Sequence, residues 1–318
     1  IRSKGDTIMK MNEAVVGRRN SSLTRPVFTC YAALLLLLAC SAQAASTLEK
    51  VAQSGVLTIG YQDAPPFSFQ DDAKQPIGYS IDLCMKIVEA IKRETKRPDL
   101  TVKYVQVDAT TNLAAIADGE VDMECANTAN TLDKRKKVAF TIPTFISATR
   151  LMTKRSADVN SVFDLSRSKL TVLVIKGSRG EKTYEGMKAD RILKGKSLVV
   201  GDYKAALAPL ERDKADAFTM DEVSLYSMRA ATKTPDNYVI TRHAMSIDSM
   251  AFMFRKGDPA FKKLVDSEVA RIIAQGEING VYKKWFESPI PPNQVNLKLP
   301  MPYMMRDSFR TPTDWVPE

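Results

Sequence analysis

Hydrolytic and metal chemistry lean most heavily on histidine, and this 318-residue chain has one, His243. No His-x-x-x-His pair exists to hold a metal, and no Gly-x-Ser-x-Gly turn offers a nucleophile. His243 therefore reads as a surface or hinge residue. Gly177-Ser178-Arg179-Gly180-Glu181-Lys182-Thr183 approaches a phosphate loop, but Glu181 interrupts the required Gly-Lys-Ser/Thr. Gly195-Lys196-Ser197 has that ending without the leading glycine. No catalytic residue, metal or cofactor is expected. Binding chemistry is what remains. Ser178 and Arg179 lie between an expected strand and a helix start, where free N–H groups and the helix dipole favour an anion. Asn127, Thr128 and Asn130 follow another strand end and carry hydroxyl and amide groups, as ordinary turns also do. Asp221 closes a further strand as an acceptor-only carboxylate or as a helix N-cap.

The elements that must position these residues read as two α/β units. In the first, strands are expected over 56–61 and 102–107. Between them Ile81, Cys84, Ile87, Val88 and Ile91 form the apolar face of a helix. In the second, strands are expected over 170–175 and 197–200, around a helix over 181–187. Two stretches echo each other, 113–123 and 207–217, each a short amphipathic helix, a polar turn and a short strand. Strands alternating with helices imply right-handed crossovers and largely parallel sheets. Further on come a strand near 250–254, a helix carrying Phe261, Leu264, Val265, Val269, Ile272 and Ile273, and a short helix with Val281, Tyr282, Trp285 and Phe286. Pro289-Ile290-Pro291-Pro292 then starts an extended tail.

Residues 1–44 read as a signal peptide: basic residues, an apolar run over 27–39 and an Ala42-Gln43-Ala44 cleavage pattern. Met9 and Met11 are the first starts, so 1–8 read as an over-extended frame. Leu37-Leu38-Ala39-Cys40 also fits a lipobox, which would anchor the chain through Cys40. With residues 1–45 removed, 40 Lys/Arg face 35 Asp/Glu, a net of +5. The densest basic run, Lys134-Arg135-Lys136-Lys137, has no interleaved aromatics, so no nucleic-acid partner is expected. Cys84 and Cys125 remain after export, with no zinc spacing. They read first as two buried thiols, and an oxidising compartment would also let them pair.

Several motifs in this order resemble bacterial extracellular solute-binding proteins of family 3, and among them the glutamate/aspartate binders. They are Pro66-Phe67-Ser68-Phe69, Gly78-Tyr79-Ser80-Ile81-Asp82-Leu83, Asp122-Met123-Glu124-Cys125 and Met220-Asp221-Glu222-Val223. Phe254-Arg255-Lys256-Gly257-Asp258-Pro259 and Lys284-Trp285-Phe286 ahead of Pro289-Ile290-Pro291-Pro292 complete the set. The resemblance implies a two-lobed Venus-flytrap fold with two hinge crossings, near 148–153 and 241–248. Lobe 1 would take 46–148 and 246–318, and lobe 2 would take 149–245. It implies a periplasmic, monomeric component of an ABC importer that delivers a polar amino acid to an inner-membrane permease, with no enzymatic activity. Phe67 would cover the ligand or sit in the core. Asn127, Thr128 and Asn130 would meet its α-carboxylate, and Asp221 its ammonium. The family has an arginine where this chain has Lys134; lysine keeps the charge but loses the fork, and Arg135 is the neighbouring alternative. Glutamate/aspartate binders place further arginines near Gln62 and Asn112, and Arg179 is the candidate replacement. These departures keep glutamine or asparagine open as ligands. A dehydratase-like enzyme on the same fold, using Glu124 or Glu181 as its acid, is the rival reading.

Overall fold

The computed structural model describes residues 46–108, 110–157, 159–166, 170–201, 203–291 and 294–315. The expected signal peptide, the early start and the lipobox at Cys40 lie outside the described residues.

The chain opens with a helix (Thr47–Ser54) capped by Ser46 in a reciprocal box with Glu49. It continues into β1 (Val56–Tyr61), a hairpin of β2 (Phe69–Gln70) and β3 (Pro76–Ile77), the long helix Tyr79–Thr95, and β4 (Thr101–Gln106). A short helix (Asn112–Ala117), β5 (Met123–Glu124), a helical turn (Leu132–Arg135) and β6 (Val138–Phe140) follow. β7 (Phe145–Lys154) leaves this region and runs into a second one. There β8 (Thr171–Ile175), the helix Arg179–Ala189, β9 (Lys196–Val200), the helix Tyr203–Glu211, β10 (Ala217–Asp221), the helix Glu222–Ala231 and β11 (Tyr238–Ile240) are laid down in turn. β12 (Ser246–Met250) returns to β13 (Met253–Arg255), and the helix Pro259–Ala274 covers the first sheet.

Two sheets result. The first has the order β4-β1-β5-β13-β6, with β1 parallel to β4 and β5 and with β13 antiparallel to its neighbours. The second has the order β11-β7-β10-β8-β9, and β12 pairs with the first half of β7. Period-two alternation sends Val172 and Val174 into one core and Leu173 and Ile175 into another, so the second sheet is covered on both faces. The two passages between the sheets, β7 and β12, are hydrogen-bonded to each other, with Ser246 opposite Thr149 and Met250 opposite Phe145. The second passage was expected over 241–248; the paired strand lies a few residues later.

The helix Tyr79–Thr95 buries the expected positions Ile81, Cys84, Ile87, Val88 and Ile91 against the first sheet. Its start requires Gly78, whose φ is 138° and where a Cβ would lie 2.2 Å from the Phe67 carbonyl oxygen. Cys84 and Cys125 are joined as a disulfide, which corrects the reading of two buried thiols. Both are wholly buried, and the bond ties this helix to the residue after β5. In the chain-entropy picture, closing a loop of 41 residues is worth about 4 kcal/mol.

The tail also differs from a plain extended segment. Past the hairpin of β14 (Pro289–Ile290) and β15 (Val295–Asn296) it forms a helix, Tyr303–Ser308. Leu297, Leu299, Met301 and Met305 join the main core, so apolar burial rather than helical propensity fixes its course. No helix among the described residues is long and apolar enough to cross a membrane.

Candidate functional site

β5 ends on Glu124, which is wholly buried. Its Oε1 accepts hydrogen bonds from Gln62 Nε2 at 2.7 Å and Asn112 Nδ2 at 2.9 Å, and its Oε2 accepts one from Thr128 Oγ1 at 2.7 Å. A carboxylate only accepts, so both amides must turn their nitrogens toward it. That orientation leaves Asn112 Oδ1 buried without a hydrogen-bond partner. Thus the two positions suspected of reading a ligand side chain are held by one internal carboxylate.

On the second sheet the strand register builds a polar row. Asp221 of β10 stands opposite Thr149 of β7, and Thr149 stands opposite Ser246 of β12. Two residues back along β7, on the same face, Ser147 stands opposite Asp248. The Ser147 hydroxyl is buried and has no hydrogen-bond partner. Asp221 is the N-cap of the helix Glu222–Ala231, accepting from Ser224 N at 2.9 Å, so the capping role expected for it is observed. Burial pushes its carboxyl above the ordinary carboxylate range, against the hydrogen bonds from Ser224.

The helix Arg179–Ala189 starts beside this row. Ser178 caps it by accepting from Glu181 N at 3.1 Å, and the Gly177 N–H donates to Glu181 Oε2 at 2.6 Å. A Cβ on Gly180 would meet the Thr219 carbonyl oxygen at 2.4 Å, so the first turn rests on the strand that ends at Asp221. We expect Gly180→Ala to push this turn off β10. Overpacking of this kind costs about 1–3 kcal/mol. Thermal unfolding should show that loss.

Two cations meet here. Arg179 Nη2 pairs with Asp248 Oδ1 at 2.5 Å. Lys134, from the turn Leu132–Arg135, donates to the Ala129 carbonyl at 3.3 Å. Burial holds its ammonium below the ordinary lysine value; Glu124 opposes that shift, Arg179 adds to it, and Asp248 opposes it. Lys134, Arg179, Glu124 and Asp248 therefore share one electrostatic neighbourhood, drawn from the turn after β5, the helix at Ser178 and the crossing strand. A cavity of about 790 Å³ opens on Asn130, Arg179, Asp248 and the tail as far as Trp315.

The family model for bacterial extracellular solute-binding proteins, family 3, matches residues 57–288. The chain belongs to this family. It is similar to the L-glutamate/L-aspartate-binding protein of Pseudomonas aeruginosa, 36% identical over 90% of this chain and 95% of that one. It is similar also to the glutamate/aspartate import solute-binding protein of Escherichia coli, 33% identical over 85% and 89% of the two chains. Among solved structures, an ancestral amino acid-binding protein described as a precursor of cyclohexadienyl dehydratase superposes with a TM-score of 0.60. It shares 25% identity over 76% of this chain and 99% of that one. A cysteine-binding protein from Campylobacter jejuni, at 24% identity and a TM-score of 0.58 over 76% and 93%, shares the fold. The two-lobed family 3 fold expected from the motifs is the fold of this chain.

Within that fold the expected residues divide. Lys134, Arg179 and Thr128 fall in the neighbourhood of Glu124 and Asp248, and Ser178 and Asp221 stand at adjoining strand and helix ends. Asn127 is half-exposed in the turn after Cys125. Asn130 lines the cavity, accepts from Arg135 Nε at 2.7 Å, and keeps a buried Nδ2 without a partner. Two residues stand elsewhere. Phe67 is 2% exposed and packs edge-on against Tyr79, Phe145 and Phe286, which is the packing of a core aromatic rather than a ligand cover. Arg135 is engaged by Asn130 and by the Asp314 carbonyl and carboxylate, so it fastens the tail instead of replacing Lys134. Asp248 was not foreseen; an acid inside an expected crossing strand was the available signal. Among the described residues no group of three His, Cys, Asp or Glu could hold a metal.

Proposed function

We propose that the chain is the solute-binding component of an ABC importer, working as a monomer in the periplasm and delivering a polar amino acid to an inner-membrane permease. Glutamate or aspartate is the first choice of ligand. The lobes in this reading are 46–148 with 246–318, and 149–245, closing about β7 and β12. The observation that carries it is the polar row on the crossing strands. It runs from the Asp221 carboxylate through Thr149 and Ser246 to Asp248, whose partner Arg179 shares an electrostatic neighbourhood with Lys134, and an anion and cations set along one face complement the ammonium and carboxylates of a dicarboxylic amino acid. The names of the glutamate/aspartate-binding relatives support the same ligand.

A second reading, an amide ligand, is favoured by Gln62 and Asn112, whose amides are held on Glu124 and whose Asn112 Oδ1 lacks a donor. A dehydratase-like activity gains no support from the two candidate acids. Glu124 is held by three neighbours, and Glu181 caps the Gly177 N–H.

The test is calorimetric titration of ligand-stripped protein with glutamate, aspartate, glutamine and asparagine. Saturable binding of at least one is expected; no heat with any amino acid would end the reading. Arg179→Ala should weaken the two acids by about tenfold or more and the amides less, as loss of a charged partner does. Unchanged acid affinity in that variant would remove Arg179 as the reader of a side-chain carboxylate.

A further inference from the structure

The ion pair between Arg179 and Asp248 joins an expected ligand reader to a residue with no assigned role. Asp248 sits on β12 with its side chain 12% exposed, while that of Arg179 is 41% exposed. The pair lies on the face of the crossing strands that carries Ser147, whose buried hydroxyl has no partner, and it lines the same cavity as the unpartnered Asn130 Nδ2. Unmatched polar groups of this kind are rare in a finished interior and indicate a place a polar ligand completes.

A guanidinium carries five N–H donors in a planar fork. Asp248 Oδ1 meets Nη2, and one carboxylate cannot occupy all five donors, so donors remain for a second acceptor. An acidic ligand side chain that takes those donors sets its carboxylate beside Asp248, two like charges sharing one cation. An amide side chain takes them through its carbonyl oxygen without that repulsion. Like-charge juxtaposition of this kind narrows the preference for acids that the cations create without excluding them.

We propose that Asp248 is a specificity-determining residue of the amino-acid cleft, setting the preference between acidic and amide side chains by sharing the Arg179 guanidinium with the ligand. This rests on the reading of the cleft as an amino-acid site. It differs from that reading in assigning the discrimination to an anion of the protein rather than to its cations.

The experiment compares glutamate with glutamine, and aspartate with asparagine, by titration calorimetry on the wild type and on Asp248→Asn. Asparagine keeps the size of the side chain and an oxygen for Arg179 but removes the charge. The acid-to-amide affinity ratio should rise by about tenfold or more. Asp248→Glu, which retains the charge, should leave the ratio near that of the wild type, and thermal unfolding of both variants checks that they fold. If Asp248 only positions Arg179, the ratio in Asp248→Asn falls instead, and the proposal is overturned; an unchanged ratio overturns it equally. In either case wild-type binding stands. A wild type that binds none of the four amino acids overturns both the proposal and the cleft reading, so the two failures are told apart.

Discussion

Asp221→Asn should abolish amino-acid binding while the protein stays folded. Asparagine is as good an N-cap as aspartate, so the helix Glu222–Ala231 keeps the acceptor that Ser224 N now uses at 2.9 Å. Only the charge is removed. Truncating one member of a desolvated charge pair costs about 2–5 kcal/mol, which takes a micromolar ligand toward or past millimolar. Asp221→Ala should lose the same binding and about 1 kcal/mol of stability besides, because the cap goes too. Calorimetric titration and thermal unfolding of both variants separate the two roles. The pH dependence has a definite sign. Burial raises the carboxyl's pKa in the folded free protein, so this group favours the folded state below its unfolded pKa and loses that contribution as pH rises through the folded pKa. Ligand binding runs the other way, since the ammonium needs the ionised form. Affinity should therefore fall on acidification, beginning above the pH at which an ordinary carboxylate titrates. Asp221→Asn retaining near-wild-type affinity for glutamate and glutamine alike would remove Asp221 from the site.

The parts of this molecule that were legible in the sequence are those set by local periodicity. The strand at 56–61 and the helix carrying Ile81, Ile87 and Ile91 follow from spacing, because a buried face must repeat every two or every 3.6 residues. The charged residues were legible as types but not as partners. Nothing in the spacing of Arg135 and Asp314, 179 residues apart, indicates that the tail turns back onto the turn before β6. Gln62, Asn112 and Thr128 were noted separately, but only the fold brings them to a single carboxylate, Glu124. The disulfide stood only as the second reading for the same reason, since pairing depends on a helix and a strand end meeting across 41 residues. Asp248 escaped because its significance comes from Arg179, which belongs to another element.

Phe67 is where the sequence left two outcomes open, and the difference between them is large enough to measure. Its ring lies 4.9 Å from that of Phe145, 5.6 Å from Phe286 and 6.2 Å from Tyr79, centroid to centroid. These rings belong to the crossing strand β7, to the segment after the helix Glu277–Tyr282, and to the helix Tyr79–Thr95. Deleting it removes apolar contact and edge-to-face contact with three elements at once, and so many fixed neighbours cannot all collapse into the space. Phe67→Ala should therefore cost about 3–5 kcal/mol, near the top of the range for a single core substitution. For a chain of this size that corresponds to a fall in the thermal midpoint of roughly 10 °C. Amino-acid affinity measured well below the new midpoint should stay within about twofold of the wild type, as for sites that share no partner. A ligand cover would give the reverse pattern, a small change in midpoint and a large loss of affinity. Phe67→Leu, which refills most of the volume, should recover most of the midpoint if packing is the cause. It could not restore a flat aromatic face to a ligand. Recovery of stability in Phe67→Leu together with unaltered affinity in both variants would place the residue in the core.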